Sequence, residues 1–234
     1  MIKLIKILST KSISEDLVQQ AKSSNIQIDI INFIETKSVN DDSIKEKIKQ
    51  YSNKKIAAIF TSINAVETVF AQINTMPDWK IFCTSGATKD ALLNYINEEM
   101  ILGTEHNASS LADKILENKE IDSCVFFCGN QRLNTLPDKL LRESINLAEV
   151  IVYETNALPQ KINENYNGIL FFSPSAVESF FSLNNIDDKT VLFSVGKTTS
   201  KALRKFTKNT IVTAVFPSAE SVLKEVRNFD FEND

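Results

Sequence analysis

The chain repeats itself at long range, and this restricts its fold more than any other feature. Residues 58–115 match residues 169–226 without a gap, at a constant offset of 111 positions. The pairs include Phe60/Phe171, Ser62/Ser173, Ala65/Ala176, Val66/Val177, Glu67/Glu178 and Phe70/Phe181. The register holds through Phe82/Phe193, Thr88/Thr199, Ala91/Ala202, Leu92/Leu203, Ala108/Ala219 and Ser110/Ser221. A weaker echo pairs residues 33–36 with 152–155. A match of this length predicts two similar lobes, and 234 residues suffice for two small domains.

The repeated unit is a β-α alternation. Short apolar runs at 3–8, 56–61, 80–84, 100–102, 124–128, 168–172, 191–195 and 210–214 read as strands. They are β-branched or aromatic, and often continuous rather than alternating, as strands buried on both faces are. Helical patterns lie between them at 64–73, 88–97, 110–117, 175–183 and 198–205. The expected fold is therefore α/β, each lobe a parallel sheet flanked by helices. Two β-rich stretches, 26–35 and 148–155, break the rhythm and read as extended connectors between lobes. A cleft between two hinged lobes would be a natural small-molecule site.

In open α/β sheets, ligands bind beyond the carboxyl ends of the strands. The strand-to-helix turns here are rich in Ser, Thr, Asn and Gly. They contain Lys11, Ser62, Ser85, Gly86, Thr88, Gly129, Asn130, Arg132, Ser173, Ser175, Gly196, Lys197, Thr198 and Thr199. Taken singly, most of these polar residues read as helix caps. Taken together, several helix N-termini with glycines and three cations form an anion site. No GxxxxGK[ST] loop is present, and no GxGxxG follows a strand, so a tight nucleotide site is not expected. Carboxylates with metal-ligand spacing are absent as well. The implied ligand carries several anionic groups and is not an obvious nucleotide.

Composition excludes other classes. Apolar residues make up 43% and charged residues 24%, ordinary values for a globular protein. The formal net charge of −4 gives no sign of nucleic-acid binding. No run of about 18 apolar residues suggests a membrane span, and the start MIKLIKILST lacks the features of a signal peptide, so a cytoplasmic protein is expected; no large apolar surface is implied beyond the cores, so a monomer is expected. Cys83, Cys124 and Cys128 sit in strand-like runs and read as buried free thiols, with no metal implied. The one histidine, His106, reads as a surface loop residue.

The turns and their order resemble the uroporphyrinogen-III synthase family across essentially the whole chain. The residues that carry the resemblance are Phe60-Thr61-Ser62-Ile63-Asn64-Ala65-Val66, Phe172-Ser173-Pro174-Ser175-Ala176-Val177 and Val195-Gly196-Lys197-Thr198-Thr199-Ser200-Lys201-Ala202-Leu203. Arg132, Leu136-Pro137 and Val150-Ile151-Val152-Tyr153-Glu154-Thr155 complete the pattern. Two departures stand out: Lys11-Ser12 replaces the usual Arg-Pro, and Ser85-Gly86 shifts the glycine of the first Gly-x-Thr-Thr turn.

The resemblance implies lobes of residues 1–33 with 157–234 and of 37–147, joined by β-connectors at 26–36 and 148–156. It implies cyclisation of hydroxymethylbilane, a linear tetrapyrrole with eight carboxylates, to uroporphyrinogen III. Water is lost, the last pyrrole ring is inverted, and no cofactor takes part. It also implies Tyr153 as the acid that helps the hydroxyl leave, with a connector tyrosine packed on a lobe as the alternative. The turn residues named above become substrate contacts, and the upstream hydroxymethylbilane synthase a possible transient partner. Two rivals share the fold: a non-catalytic clamp for a polyanionic small molecule, and a pair of receiver-like domains. The latter needs aspartates at the strand ends, where this chain has Ser and Thr.

Overall fold

The computed structural model describes residues 4–231; Lys3, expected to open the first strand, and residues 232–234 lie outside them. The chain divides into two compact units, Met1–Glu35 with Asn156–Asp234, and Thr36–Thr155. In chain order the elements begin β1 Ile5–Ser9, α1 Glu15–Lys22, β2 Ile26–Ile30, β3 Ile34–Ser38, α2 Asp42–Ser52, β4 Ile56–Phe60 and α3 Ile63–Phe70. There follow β5 Trp79–Thr84, α4 Ala87–Leu93, β6 Ile101–Glu105, α5 Ala108–Leu116, β7 Ser123–Gly129, α6 Thr135–Arg142 and β8 Asn146–Ala157. The chain ends with β9 Gly168–Phe171, α7 Pro174–Phe181, β10 Val191–Ser194, α8 Lys197–Leu203, β11 Ile211–Thr213 and α9 Ala219–Asn228.

One sheet runs β11-β10-β9-β1-β2 and the other β3-β8-β7-β4-β5-β6. Through five strands of each sheet the repeat is visible in space: β9, β10 and β11 stand to β1 and β2 as β4, β5 and β6 stand to β7 and β8. The ladders β1–β2, β1–β9, β9–β10 and β10–β11 are parallel, as are β4–β5, β4–β7, β5–β6 and β7–β8. Strand β3 is the exception. The Val39 N–H donates to the Val152 carbonyl at 2.8 Å, and the Thr36 and Thr155 hydroxyls lie 3.4 Å apart. Such paired numbers, one rising as the other falls, define an antiparallel edge.

The central strands are buried along nearly their whole length, which explains their continuous apolar runs. Helix α3 illustrates how the sequence fixes an element. Ser62 is extended and its hydroxyl accepts from the Ala65 N–H at 3.3 Å, closing the N-terminus. Ala65, Val66, Val69 and Phe70 then recur at three- and four-residue spacing and are buried. Phe60, Phe70, Trp79 and Phe127 pack their rings around that face. Each such side chain stabilises by about 1.5–3 kcal/mol on burial. The copy in α7 repeats the cap: Ser173 accepts from the Ala176 N–H at 3.1 Å. Losing either cap costs about 1 kcal/mol.

Several expected boundaries shift. Helices α3, α4, α5, α7 and α8 start one or two residues earlier than the apolar pattern suggests, because they begin directly after their caps. Met100 is not in a strand; it ends a 3-10 turn, Glu98–Met100, and β6 starts after it. The stretch 26–35 is not one connector, since Ile26–Ile30 pairs with β1 from Ile5↔Ile26 to Ser9↔Ile30. Nor does 148–155 stand apart from a sheet: all of it lies inside β8, which is paired to β7 as far as Tyr153. Both stretches carry the alternation of a half-exposed strand, which sequence alone does not separate from a connector.

Cys83, Cys124 and Cys128 are buried and free. Burial pushes the Cys124 and Cys128 thiols up to about 12, and raises that of Cys83. The folded protein thus keeps protons that unfolded thiols release near pH 9, so this contribution to stability is complete below about pH 9 and is lost as the pH climbs toward 12. At pH 8 the native protein is expected to resist thiol reagents at all three cysteines, and the denatured chain to react at all three; a spectrophotometric thiol titration checks this.

Candidate functional site

Both sheets contain a point where successive connections leave in opposite directions. In the unit Thr36–Thr155 it lies between β4 and β7; in the other it lies between β9 and β1. Ligands of open α/β sheets bind at the carboxyl ends of strands flanking such a switch. The expected site residues fall at these ends and at the next strand over. Ser62 follows β4, and Gly129, Asn130 and Arg132 close or follow β7. Ser85, Gly86 and Thr88 follow β5. In the other unit, Lys11 follows β1, Ser173 and Ser175 follow β9, and Gly196, Lys197, Thr198 and Thr199 follow β10.

Tyr153 is set by its neighbours on β7. The β7–β8 register runs Cys128↔Ile151 and then Gly129↔Tyr153, so β8 carries one extra residue at a bulge. Bulges re-aim side chains, and here the Tyr153 ring is brought onto Gly129. A Cβ at Gly129 would lie 2.4 Å from the ring's Cζ, 2.5 Å from Cε2 and 2.8 Å from the hydroxyl oxygen. Glycine is therefore the only residue that leaves room for this ring. The ring is half-buried against the core. Its hydroxyl makes no hydrogen bond with another described residue.

Asn130 and Gln131 bind the backbone beyond it. The Asn130 N–H donates to the Tyr153 carbonyl at 3.2 Å. The Asn130 Oδ1 accepts from the Thr155 N–H at 2.9 Å, and its Nδ2 donates to the Thr155 carbonyl at 3.5 Å. Gln131 Nε2 donates to that carbonyl at 2.9 Å. The Asn130 amide, expected to meet a ligand, is thus engaged within the protein at both ends. Arg132 is engaged too: its Nε donates to Glu149 Oε2 and its Nη1 to Asn134 Oδ1, the latter at 2.6 Å. The hydrogen bond to Glu149 raises the guanidinium's affinity for its proton further.

The cations of the other unit are less committed. Lys11 is exposed, with Nζ 4.9 Å from the centroid of the Phe172 ring. Lys197 is exposed at the first position of α8, and neither lysine forms an ion pair with another described residue. Thr88 and Thr199 are buried, only 6% and 2% exposed, and the Thr88 hydroxyl accepts from the Thr84 hydroxyl at 3.1 Å. Thr198, between the lysine and the buried threonine, is exposed.

The displaced glycine is a real difference between the copies. Gly86 and Gly196 are both N-caps, yet they are 110 positions apart rather than 111. Gly86 has φ 74°, a left-handed conformation that favours glycine, whereas Gly196 is extended at φ 175°. The two turns therefore present their first N–H groups differently.

Two further residues belong to the same edges. Thr10 is fully buried, and its N–H and hydroxyl donate to the Leu170 carbonyl at 3.1 and 2.7 Å, tying β1 to β9 before Lys11 emerges. His106 is exposed, as expected of a loop residue, and its Nδ1 lies 2.8 Å from the Ser85 hydroxyl. Neither contact had a local sequence signal, because Leu170 comes from β9 and Ser85 from the turn after β5. Among the described residues no group of three His, Cys, Asp or Glu could hold a metal ion. No helix among them is long and apolar enough to cross a membrane.

Gly129→Ala is expected to force the Tyr153 ring off its seat at a cost of about 1–3 kcal/mol. Denaturant unfolding of the variant, with near-ultraviolet dichroism to follow the tyrosine, measures both effects.

Comparison with curated protein sequences finds no match. Among solved structures, uroporphyrinogen-III synthetase from Helicobacter pylori 26695 matches with a TM-score of 0.65 at 17% identity, over 96% of this chain and 99% of that one. A mutant uroporphyrinogen III synthase from the extremely thermophilic bacterium Thermus thermophilus matches with a TM-score of 0.68 at 12% identity, over 96% and 98%. The wild-type Thermus protein in another crystal form gives 0.56 at 12% identity, over 96% and 97%. At such identities these matches establish the fold. The family model for uroporphyrinogen-III synthase HemD matches residues 15–224. With nearly its whole length matched, the chain belongs to the uroporphyrinogen-III synthase family, the enzymes that cyclise hydroxymethylbilane in haem biosynthesis.

Proposed function

We propose that this enzyme closes hydroxymethylbilane with Tyr153 as general acid and with the strand ends of both units as carboxylate contacts. The observation that supports this most is the Tyr153 phenol, seated on Gly129 at the carboxyl end of β7 with its hydroxyl uncommitted among the described residues. As the carbon–oxygen bond of the terminal hydroxymethyl group breaks, the oxygen keeps the electron pair and takes the phenol's proton, leaving as water. The carbon left electron-poor is attacked by the substituted carbon of the last pyrrole. In the resulting spiro intermediate the bond from that carbon to its original bridging methylene breaks, the methylene bonds instead to the ring's unsubstituted α-carbon, and the proton this carbon loses balances the one given by the phenol, so that the ring is inverted on closure. Unassisted, the bilane closes by itself to the uninverted isomer. The protein's larger task is therefore to hold the chain in the inverting geometry, and its smaller one is acid catalysis.

The substrate's carboxylates call for donors and positive charge. In this reading Ser62, Ser85, Thr88, Ser173, Ser175, Thr198 and Thr199 donate hydrogen bonds. Lys11 and Lys197 supply charge, and the backbone near Gly86 and Gly196 approaches closely. A substrate carboxylate reaches Arg132 in competition with Glu149. The same reading makes the protein a cytoplasmic monomer that takes its unstable substrate in transient contact with the upstream synthase. A family of cyclases disfavours the non-catalytic clamp.

Tyr153→Phe is expected to lower kcat by on the order of 10²-fold with little change in KM, the usual worth of a general acid. Ser62→Ala with Ser173→Ala is expected to raise KM instead. A Tyr153→Phe enzyme with unchanged kcat would remove Tyr153 from the reaction. Light scattering should give a single species of 26.3 kDa; a dimer mass would contradict the monomer.

A further inference from the structure

The strands β7 and β8 have unequal reach. β7 ends at Gly129, where the chain turns away toward α6, whereas β8 continues to Ala157. A strand that outlasts its neighbour leaves N–H and C=O groups without a ladder partner. At Thr155 these groups are taken by side chains instead. Asn130 Oδ1 accepts from the Thr155 N–H at 2.9 Å, where the next β7 carbonyl would have stood. Gln131 Nε2 and Asn130 Nδ2 donate to the Thr155 carbonyl at 2.9 and 3.5 Å. Two residues earlier, the Asn130 N–H holds the Tyr153 carbonyl at 3.2 Å. Asn130 therefore grips β8 at Tyr153 and at Thr155, directly after the bulge that turns Tyr153 onto Gly129.

We propose that Asn130 is a positioning residue for Tyr153: its amide replaces the missing end of β7 and fixes the strand from which the phenol projects. This rests on the reading of Tyr153 as the acid. It departs from the expectation that Asn130 meets a substrate carboxylate, because both ends of the amide are already bonded to Thr155. The contact also works on the reaction alone. A strand end free to shift by about 1 Å misplaces the proton donor, an error worth on the order of 10²-fold in rate. Carboxylate binding at the other strand ends is untouched by it.

A double-mutant cycle on the full chain tests the proposal, with kcat and KM for hydroxymethylbilane as readouts. Asn130→Ala is expected to lower kcat by roughly ten- to a hundredfold with KM nearly unchanged. Asn130→Asp keeps an oxygen for the Thr155 N–H and is expected to recover most of that loss. In a Tyr153→Phe background Asn130→Ala is expected to change nothing further, because one function has already been removed. If Asn130→Ala raises KM at unchanged kcat, or if its loss and that of Tyr153→Phe simply multiply, Asn130 acts on its own and the proposal fails while Tyr153 keeps its role. If Tyr153→Phe alone leaves kcat unchanged, the reading of Tyr153 fails and the proposal with it. Should Asn130→Ala prove unfolded by circular dichroism, Asn130→Asp and Gln131→Ala carry the same comparison: a folded Asp variant as slow as Tyr153→Phe would overturn the proposal.

Discussion

Strand β4 lies parallel to β7 from Ala57↔Cys124 to Phe60↔Phe127, and β9 lies parallel to β1 from Gly168↔Ile7 to Leu170↔Ser9. These two pairings fix almost everything else. Each joins strands that are distant in sequence, and from each the chain departs in opposite directions. Helices that would otherwise crowd the strand ends are thereby carried apart, and the turns after them remain open. The aromatic clusters around Phe60 and Phe171 are the apolar side of the same arrangement, because Phe60 packs on Phe70 of α3 and Phe171 on Phe180 and Phe181 of α7, joining the carboxyl ends of β4 and β9 to the helices that follow.

The two units then fill one layout with different side chains. The unit built from both chain ends presents exposed lysines, Lys11 and Lys197, without ion pairs among the described residues. The middle unit ties up its corresponding cation, Arg132, with Glu149 and uses its β7 turn to hold β8. Lys11 and Lys197 therefore lie on one unit and the seated phenol of Tyr153 on the other. A duplicated fold permits such a division because a turn can be altered in one copy while the other keeps the original geometry. Gly86 and Gly196, both caps but with different backbones, are an instance of that divergence.

What the sequence reveals follows from the range of the interactions. The repeat, the parallel α/β class and the capped turns depend on residues close in sequence, so Ser62 and Ser173 are legible as caps and are found as caps. The one-residue slip between Gly86 and Gly196 is legible too, because Thr88/Thr199 keeps the offset on its far side; the different backbone it imposes, left-handed at Gly86 and extended at Gly196, is not. The bulge at Tyr153, the tie from Thr10 to Leu170 and the contact of His106 with Ser85 join residues that lie in different elements, and no local pattern encodes them. Stretch 26–35 misleads for a related reason: an edge strand and a linker share the same half-polar alternation, and only pairing with β1 distinguishes them.

The central claim is that these strand ends force the inverting closure on a substrate that otherwise closes without inversion. Hydroxymethylbilane generated in situ, mixed with the folded protein, oxidised and separated into porphyrin isomers, tests it most directly. Isomer III in large excess over isomer I is the predicted result. Isomer I alone, with the protein verified as folded, would contradict it.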